Sequence, residues 1–417
     1  MRDVRMRGFA ERADVEDVDR RLRGLTRPLP PESVPVLECA GRVLAEDVSA
    51  RVSVPGFRRA AMDGYAVRAE ETSGASERSP VRLPIVGEAY PGRPFPRGIG
   101  PGEAVRIMTG SPVPDGADAV VMAEVCEEQQ GEVAVREAIA VHRNVGEIGE
   151  DIREGEVVLQ RGRRLRPQDV GVLASIGCAS LYCVRRPRVQ LVITGDELLP
   201  PGSAPEGYRI VDSNSVLLRA LVARDGGVLL PFELLPDQPE IIRAALEEEG
   251  ADLVLVSGGS SVGQEDHAPR LVAELGSLDF HGVNMRPAGP AGGGRVGDRL
   301  VFLLPGNPVS CLCAYEFFAG PSLRALGGRS REWPHRRARR ELAREIGSQA
   351  GRTDYVRVAI RDGRVVPIAT SGSSILSSTV RATGAVIVPQ ELESIPEGAE
   401  VEVLLYDEDA TPLEPEV

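Results

Sequence analysis

The spacing of hydrophobic positions changes character several times along the chain. Val15, Val18, Leu22 and Leu25 recur at helical intervals, which predicts an amphipathic helix over 13–26. From 52 to 144 the apolar runs are short, rich in Val, and broken by Gly and Pro, the pattern of a small β-domain. A helical period returns at Val170, Leu173, Ala174 and Ile176, opened by Arg166-Pro167-Gln168-Asp169 and closed by Gly177. Between 184 and 330, apolar strands at 188–193, 228–232, 252–256 and 300–304 alternate with helical stretches. Asp212-Ser213 is placed to cap the first of those helices, Asp237 the second with Pro239 in its first turn, and a further helix starts near Val309. Alternation of this kind predicts a parallel, doubly wound sheet. The remainder, to 417, reads as short strands and turns. The predicted fold class is α/β plus β: a multidomain chain with a linking domain (1–51 and 145–183), a small β-rich domain (52–144), the doubly wound domain (184–330) and a C-terminal β-barrel-like domain (331–417).

Composition narrows the function. The chain has 417 residues, 42% of them hydrophobic and 27% charged, so it can bury several cores. Its apolar runs are too short to span a bilayer, and the first twenty residues hold no apolar signal segment, so a cytoplasmic protein without a membrane partner is expected. A net charge of −13 argues against nucleic acid. All 49 basic residues are Arg; there is no Lys. The six Cys show no CxxC spacing and read as reduced and structural, Cys311 and Cys313 as core residues of one helix.

Ligands of doubly wound sheets bind at the carboxyl ends of the strands. Three such ends run into polar or Gly-rich loops: Thr194-Gly195-Asp196-Glu197; Ser257-Gly258-Gly259-Ser260-Ser261-Val262-Gly263 followed by Asp266; and Pro305-Gly306-Asn307-Pro308. Glycines allow close backbone approach, and consecutive N–H groups form an anion-binding nest. Asn307 as N-cap with Pro308 at the first helical position aims a helix N-terminus at the same place. Carboxylates at 196, 197 and 266 beside an anion call for a bridging cation, and oxygen ligands with an anionic substrate point to Mg²⁺ held by Asp196, Glu197 and Asp266. His142, His267, His281 and His335 lack zinc-ligand spacing. Outside this region, Asp63 in 61–67, Thr109 in 105–114 and Asp151 in 149–152 occupy polar turns that, taken singly, are ordinary turn chemistry.

Taken in order, AMDGYAV (61–67), VRIMTGSPVP (105–114), GEDI (149–152), TGDEL (194–198), SGGSSVGQED (257–266) and LPGNPVS (304–310) resemble the MoeA-type molybdopterin molybdenumtransferases, relatives of the gephyrin E domain. The resemblance runs from MRGF at 6–9 to SGSSILSS at 371–378. It implies Mg²⁺-dependent insertion of molybdate into adenylylated molybdopterin with release of AMP. It also implies an elongated four-domain homodimer whose cleft combines residues of two subunits. Asp63, Thr109 and Asp151 would face that cleft from one side, with Glu197, Asp237 and Asp266 from the sheet domain and Pro305 and Pro308 shaping a loop beside it. Further partners implied are the upstream adenylyltransferase and the molybdoenzymes that receive the cofactor.

The chain departs from the family at one place. Where the family carries Lys-Pro-Gly-Lys-Pro, this sequence reads Arg286-Pro287-Ala288-Gly289-Pro290, so the second cation is replaced by Gly289. Either another Arg supplies the charge, or Gly289 serves a positive φ, or oxyanions are handled differently. The following 291–294 run reads as a mobile loop. A non-catalytic scaffold or a tungstate-inserting relative is the alternative, and a nicotinamide-nucleotide amidase built on a similar sheet is a third reading that the 61–67 and 105–114 motifs oppose.

Overall fold

The computed structural model describes residues 12–260, 266–369 and 372–406. The chain forms two compact units, one of Glu32–Cys183 and one joining Met1–Pro31 to Val184–Val417.

In the Glu32–Cys183 unit, a six-stranded sheet runs Ala119–Met122, Gly64–Val67, Ala104–Ile107, Val81–Ala89, Glu132–Val135, Cys126–Gln129. Its pairings are antiparallel except that of Val81–Ala89 with Ala104–Ile107. Side chains alternate across a strand, and here both faces are covered: Ala66, Val105 and Val120 pack in one core, Tyr65, Val67 and Val121 in the other. The strand carrying the 61–67 turn is therefore anchored from both sides. A separate core gathers Leu44, Leu173 and Ile176 around the predicted helix, which spans Pro167–Ser175. Gly177 follows it at φ 83°, the left-handed residue that stops a helix.

In the other unit the N-terminal helix spans Val15–Leu25 and buries Val18 and Leu22, as its periodicity predicts. The central sheet is ordered Val228–Leu229, Arg188–Thr194, Leu253–Ser257, Arg299–Leu304, Gly292–Val296, Ser277–His281. Neighbours among the first four strands are parallel, and the last two strands are antiparallel additions. The sheet is wound on both faces. Leu253 and Leu255 face the Asn214–Arg224 and Pro308–Ala314 helices, while Val254 and Val256 face Pro239–Glu247 and Ala268–Leu275. Each of these side chains is fully buried, worth about 1.5–3 kcal/mol apiece by transfer.

Three expectations are corrected. The 228–232 strand is only Val228–Leu229, with Leu234–Leu235 pairing separately farther along Arg188–Thr194. Asp237 does not cap the next helix; Gln238 holds that position. The 291–294 run is not a loop but the buried strand Gly292–Val296. Glycine is required there because a Cβ on Gly294 would sit 1.9 Å from Ser277 O, and one on Gly293 would sit 2.7 Å from the Phe280 ring.

The C-terminal β-domain orders Met285–Arg286, Thr353–Arg361, Gly384–Val388, Glu400–Leu405 and Arg337–Glu341, with Arg364–Ala369 also on Thr353–Arg361. Met285–Arg286 pairs in parallel with Thr353-Asp354, so a segment leaving the central sheet becomes the edge of the C-terminal one.

Candidate functional site

Parallel register brings the three loops together. Ile193 pairs with Ser257 and Ser257 with Leu304, so all three strands end on one edge. Gly258 and Gly259 are both left-handed, at φ 97° and 55°. The chain approaches so closely that a Cβ on Gly258 would lie 2.1 Å from Thr194 O. A Cβ on Gly306 would lie 4.0 Å from Gly258 Cα. Among the described residues, the backbone N–H groups of Gly259, Gly306 and Asn307 donate to no acceptor, while that of Gly258 faces Leu304 O across the strand pair. Three unspent donors thus lie on the adjacent turns where the glycines predict an anion cradle.

The polar side chains around it have divided roles. Ser257 is buried, and its hydroxyl accepts from Asn214 Nδ2 at 2.9 Å and lies 4.0 Å from Cys311 Sγ. It acts from behind the cradle. Ser260 Oγ donates to Leu304 O at 2.8 Å, and His281 Nε2 lies 3.0 Å from Ser260 O. Burial depresses the His281 pKa, opposed by that hydrogen bond and by the Asp266 carboxylate. Ser261 and Gly263, also expected at the site, lie outside the described residues. Asn307 precedes the Pro308–Ala314 helix as expected, but its side chain does not cap it; the Nδ2 turns to Ser373 Oγ at 3.2 Å. Pro305 is buried at the head of its turn.

The acidic residues do not gather into a cage. Asp196 and Glu197 are exposed, and Asp196 Oδ1 accepts from the Asp237 backbone N–H at 3.3 Å. Asp237 Oδ1 is buried without a partner. Among the described residues, no group of three or more His, Cys, Asp or Glu side chains is placed to hold a metal ion. The expected Asp196, Glu197 and Asp266 set is therefore not a ligand cluster here. What the structure offers is Asp196, tied to Asp237 through that backbone N–H, and one Asp237 carboxylate oxygen that lacks a partner. That fits a cation carried in with phosphate oxygens, not a closed all-protein site.

Arg286 is committed. Its Nη2 donates to Asp354 Oδ2 at 2.6 Å, and fully buried Asp354 also accepts from Arg352 Nε at 2.7 Å and Ser348 Oγ at 3.0 Å. Two guanidinium groups on one carboxylate leave a net positive charge. Gly289 is not left-handed; Ala288 is, at φ 76°, so the positive-φ explanation fails. Arg12 Nη1 stands 3.6 Å from where a Gly289 Cβ would be.

In the Glu32–Cys183 unit, the Thr109 N–H and hydroxyl both donate to Asp63 Oδ1, at 2.7 and 2.8 Å. Both bonds lower the Asp63 pKa, the backbone one more. The turn is held because Ala123 N–H donates to Asp63 O at 3.0 Å and a Gly64 Cβ would meet Val121 O at 1.9 Å. Beside it lies a cavity of about 440 Å³ lined by Arg59, Thr109, Asn144 and Glu150 among others, with Arg59 paired to Glu150 at 3.2 Å. Asp151 is exposed, its N–H donating to Val54 O at 3.1 Å.

Asp212, Asn214, Asp354 and Arg352 were not singled out as site residues in the sequence. For Asp212 and Asn214 the Asp-Ser-Asn run reads as a helix start, which it is: Asp212 Oδ1 accepts from the N–H groups of Asn214 and Ser215. Nothing local in the sequence marks Asp354, 68 residues from its partner Arg286.

Comparison with known proteins bears on the whole chain. Residues 13–177 match the MoeA N-terminal region (domain I and II), 190–325 a probable molybdopterin binding domain, and 339–406 the MoeA C-terminal region (domain IV). Molybdopterin molybdenumtransferase 2 of Mycobacterium tuberculosis is 35% identical over 93% of this chain and 98% of its own. The molybdopterin molybdenumtransferase of Bacillus subtilis is 32% identical over 95% and 94%. The crystal structure of the molybdopterin biosynthesis MoeA protein from Pyrococcus horikosii superposes with a TM-score of 0.81 at 33% identity, covering 95% of this chain and 100% of that one. The chain belongs to the MoeA family of molybdopterin molybdenumtransferases, enzymes of molybdenum cofactor biosynthesis.

Proposed function

We infer that this chain inserts molybdate into adenylylated molybdopterin in a Mg²⁺-dependent reaction that releases AMP. The observation that carries the reading is the cradle of three free N–H groups at the strand ends of a domain that matches a molybdopterin binding family. Free amide donors on left-handed glycines suit the phosphates of a pterin nucleotide. Asp196 and Asp237 would hold the ion against those phosphates, where it would neutralise charge developing on the phosphate oxygens. The Arg286 and Arg352 guanidinium groups, sharing Asp354, supply positive charge for an oxyanion. Glu197 and Asp266 belong to the same proposed site, Asp63, Thr109 and Asp151 are proposed to serve the same reaction, and the protein works as a homodimer in the cytoplasm, taking substrate from an adenylyltransferase and passing cofactor to molybdoenzymes.

The test is AMP release by the purified protein given adenylylated molybdopterin, molybdate and Mg²⁺. Release that stops on chelation and returns with Mg²⁺ supports the reading. Release that ignores chelation removes the metal from it, and no release at all favours the scaffold alternative.

A further inference from the structure

Asn214 stands where the cradle is tied to the sheet domain. It opens the Asn214–Arg224 helix and is 8% exposed. One side-chain N–H donates to Ser257 Oγ at 2.9 Å and the other to Gly306 O at 2.7 Å. Those acceptors belong to the two turns whose free N–H groups form the cradle. The amide orientation follows from chemistry. A carbonyl can only accept, so the nitrogen must face Gly306 O; the flipped amide would oppose two oxygens. The residue cannot slide, because Asp212 Oδ1 holds its backbone N–H at 2.9 Å and that of Ser215 at 3.1 Å. Meanwhile Asn214 Oδ1 is buried with no partner. A buried amide kept with its oxygen unsatisfied requires a reason, and here the reason is the two donors it provides.

We propose that Asn214 is a positioning residue: its side-chain amide sets the spacing between the Ser257–Ser260 and Pro305–Asn307 turns, and through it the geometry in which the backbone N–H groups of Gly259, Gly306 and Asn307 meet the substrate's phosphates. The phosphate part of this statement rests on the function inferred above; the spacing part does not. Asn214→Asp keeps the size but places an oxygen against Gly306 O. Helix start and core remain, while one of the two ties becomes repulsive. A misplacement of about 1 Å in a binding constellation costs on the order of a hundredfold in kcat/KM, and here the loss falls on KM because the displaced donors hold the phosphates and not the reacting atoms.

Two readouts separate the claims. Steady-state AMP release should show the KM for the pterin nucleotide raised tenfold or more in Asn214→Asp, with kcat changed less than threefold. A crystal structure of the variant should show the two turns parted by about 1 Å with the Asn214–Arg224 helix in place. Asn214→Ala, which leaves Gly306 O unpaired without repulsion, substitutes if the Asp variant does not fold, with the same expected direction. Unmoved turns in the variant overturn the proposal, as does a KM equal to wild type in an active enzyme. If wild type releases no AMP, the functional reading fails by itself, and the turn spacing alone decides whether Asn214 positions the cradle.

Discussion

Gly258→Ala tests whether the cradle depends on close approach of two backbones. An ideal Cβ at this position would be 2.1 Å from Thr194 O and 2.9 Å from Thr194 Oγ1. Ordinary contact needs about 3.5 Å, so one of the turns must retreat by roughly 1 Å or more. The obstructing atom is backbone in a buried strand, which cannot swing aside as a side-chain tip would. A non-glycine residue at φ 97° adds about 1–2 kcal/mol of conformational cost. Overpacking of this kind typically adds about 1–3 kcal/mol. The expected loss is about 2–5 kcal/mol for the unit that carries the sheet. The chain's only tryptophan, Trp333, packs against Phe317 at 5.0 Å and Tyr355 at 6.3 Å in that unit, so its fluorescence in a urea titration follows that unit alone. Gly306→Ala is the paired control: its φ is not left-handed and its nearest neighbour is at 4.0 Å, so its stability should change by less than about 1 kcal/mol. If Gly258→Ala unfolds at the wild-type midpoint, or if the two variants lose equal stability, the argument from backbone approach is wrong.

Three further outcomes follow from the site and its supports. Glu316, 2% exposed and bonded to both Arg224 terminal nitrogens at 2.6 and 2.9 Å, holds a half-buried cation; Glu316→Ala should cost about 1.5–3 kcal/mol in the same titration, because charge-assisted hydrogen bonds are lost while Arg224 keeps Asp225. His281 has its pKa lowered by burial from the ordinary value of 6.5, so the neutral form contributes stability fully above that value and loses it as pH falls through the lower folded value; His281→Gln should flatten the stability slope in that window, and an unchanged slope would assign it to other groups. Arg12→Ala should raise the molybdate concentration for half-maximal turnover by on the order of tenfold, with partial recovery on adding Gly289→Lys; no change in either would leave Arg12 outside oxyanion capture.

The elements whose residues act through periodicity were legible in the sequence. Val15, Val18 and Leu22 fix a helix by spacing alone, and the runs at 253–256 and 300–304 announce parallel strands buried on both faces. The glycine loops could be placed at strand ends by the general rule for such sheets. What stayed hidden depends on pairing across distance. Gly292–Val296 reads as a loop because glycine carries no strand propensity; only the closeness of Ser277 O and the Phe280 ring explains why nothing larger fits. The pairing of Arg286 requires Asp354, which is brought alongside by a strand pairing between distant segments. Asp237 reads as a helix cap, yet Gln238 holds that position and one Asp237 oxygen is buried without a partner, which no local rule distinguishes from turn chemistry. Asn214 is the same case in reverse: a residue with a routine local reading whose amide ties two loops far away in the chain.

The most direct test of the account is to measure molybdenum and AMP together. The wild-type protein, given adenylylated molybdopterin, molybdate and Mg²⁺, should release one AMP for each molybdenum recovered in the pterin product, with neither appearing when molybdate is left out. AMP without molybdenum in the product, or neither from the folded protein at saturating molybdate, would contradict the assignment of metal insertion to this site.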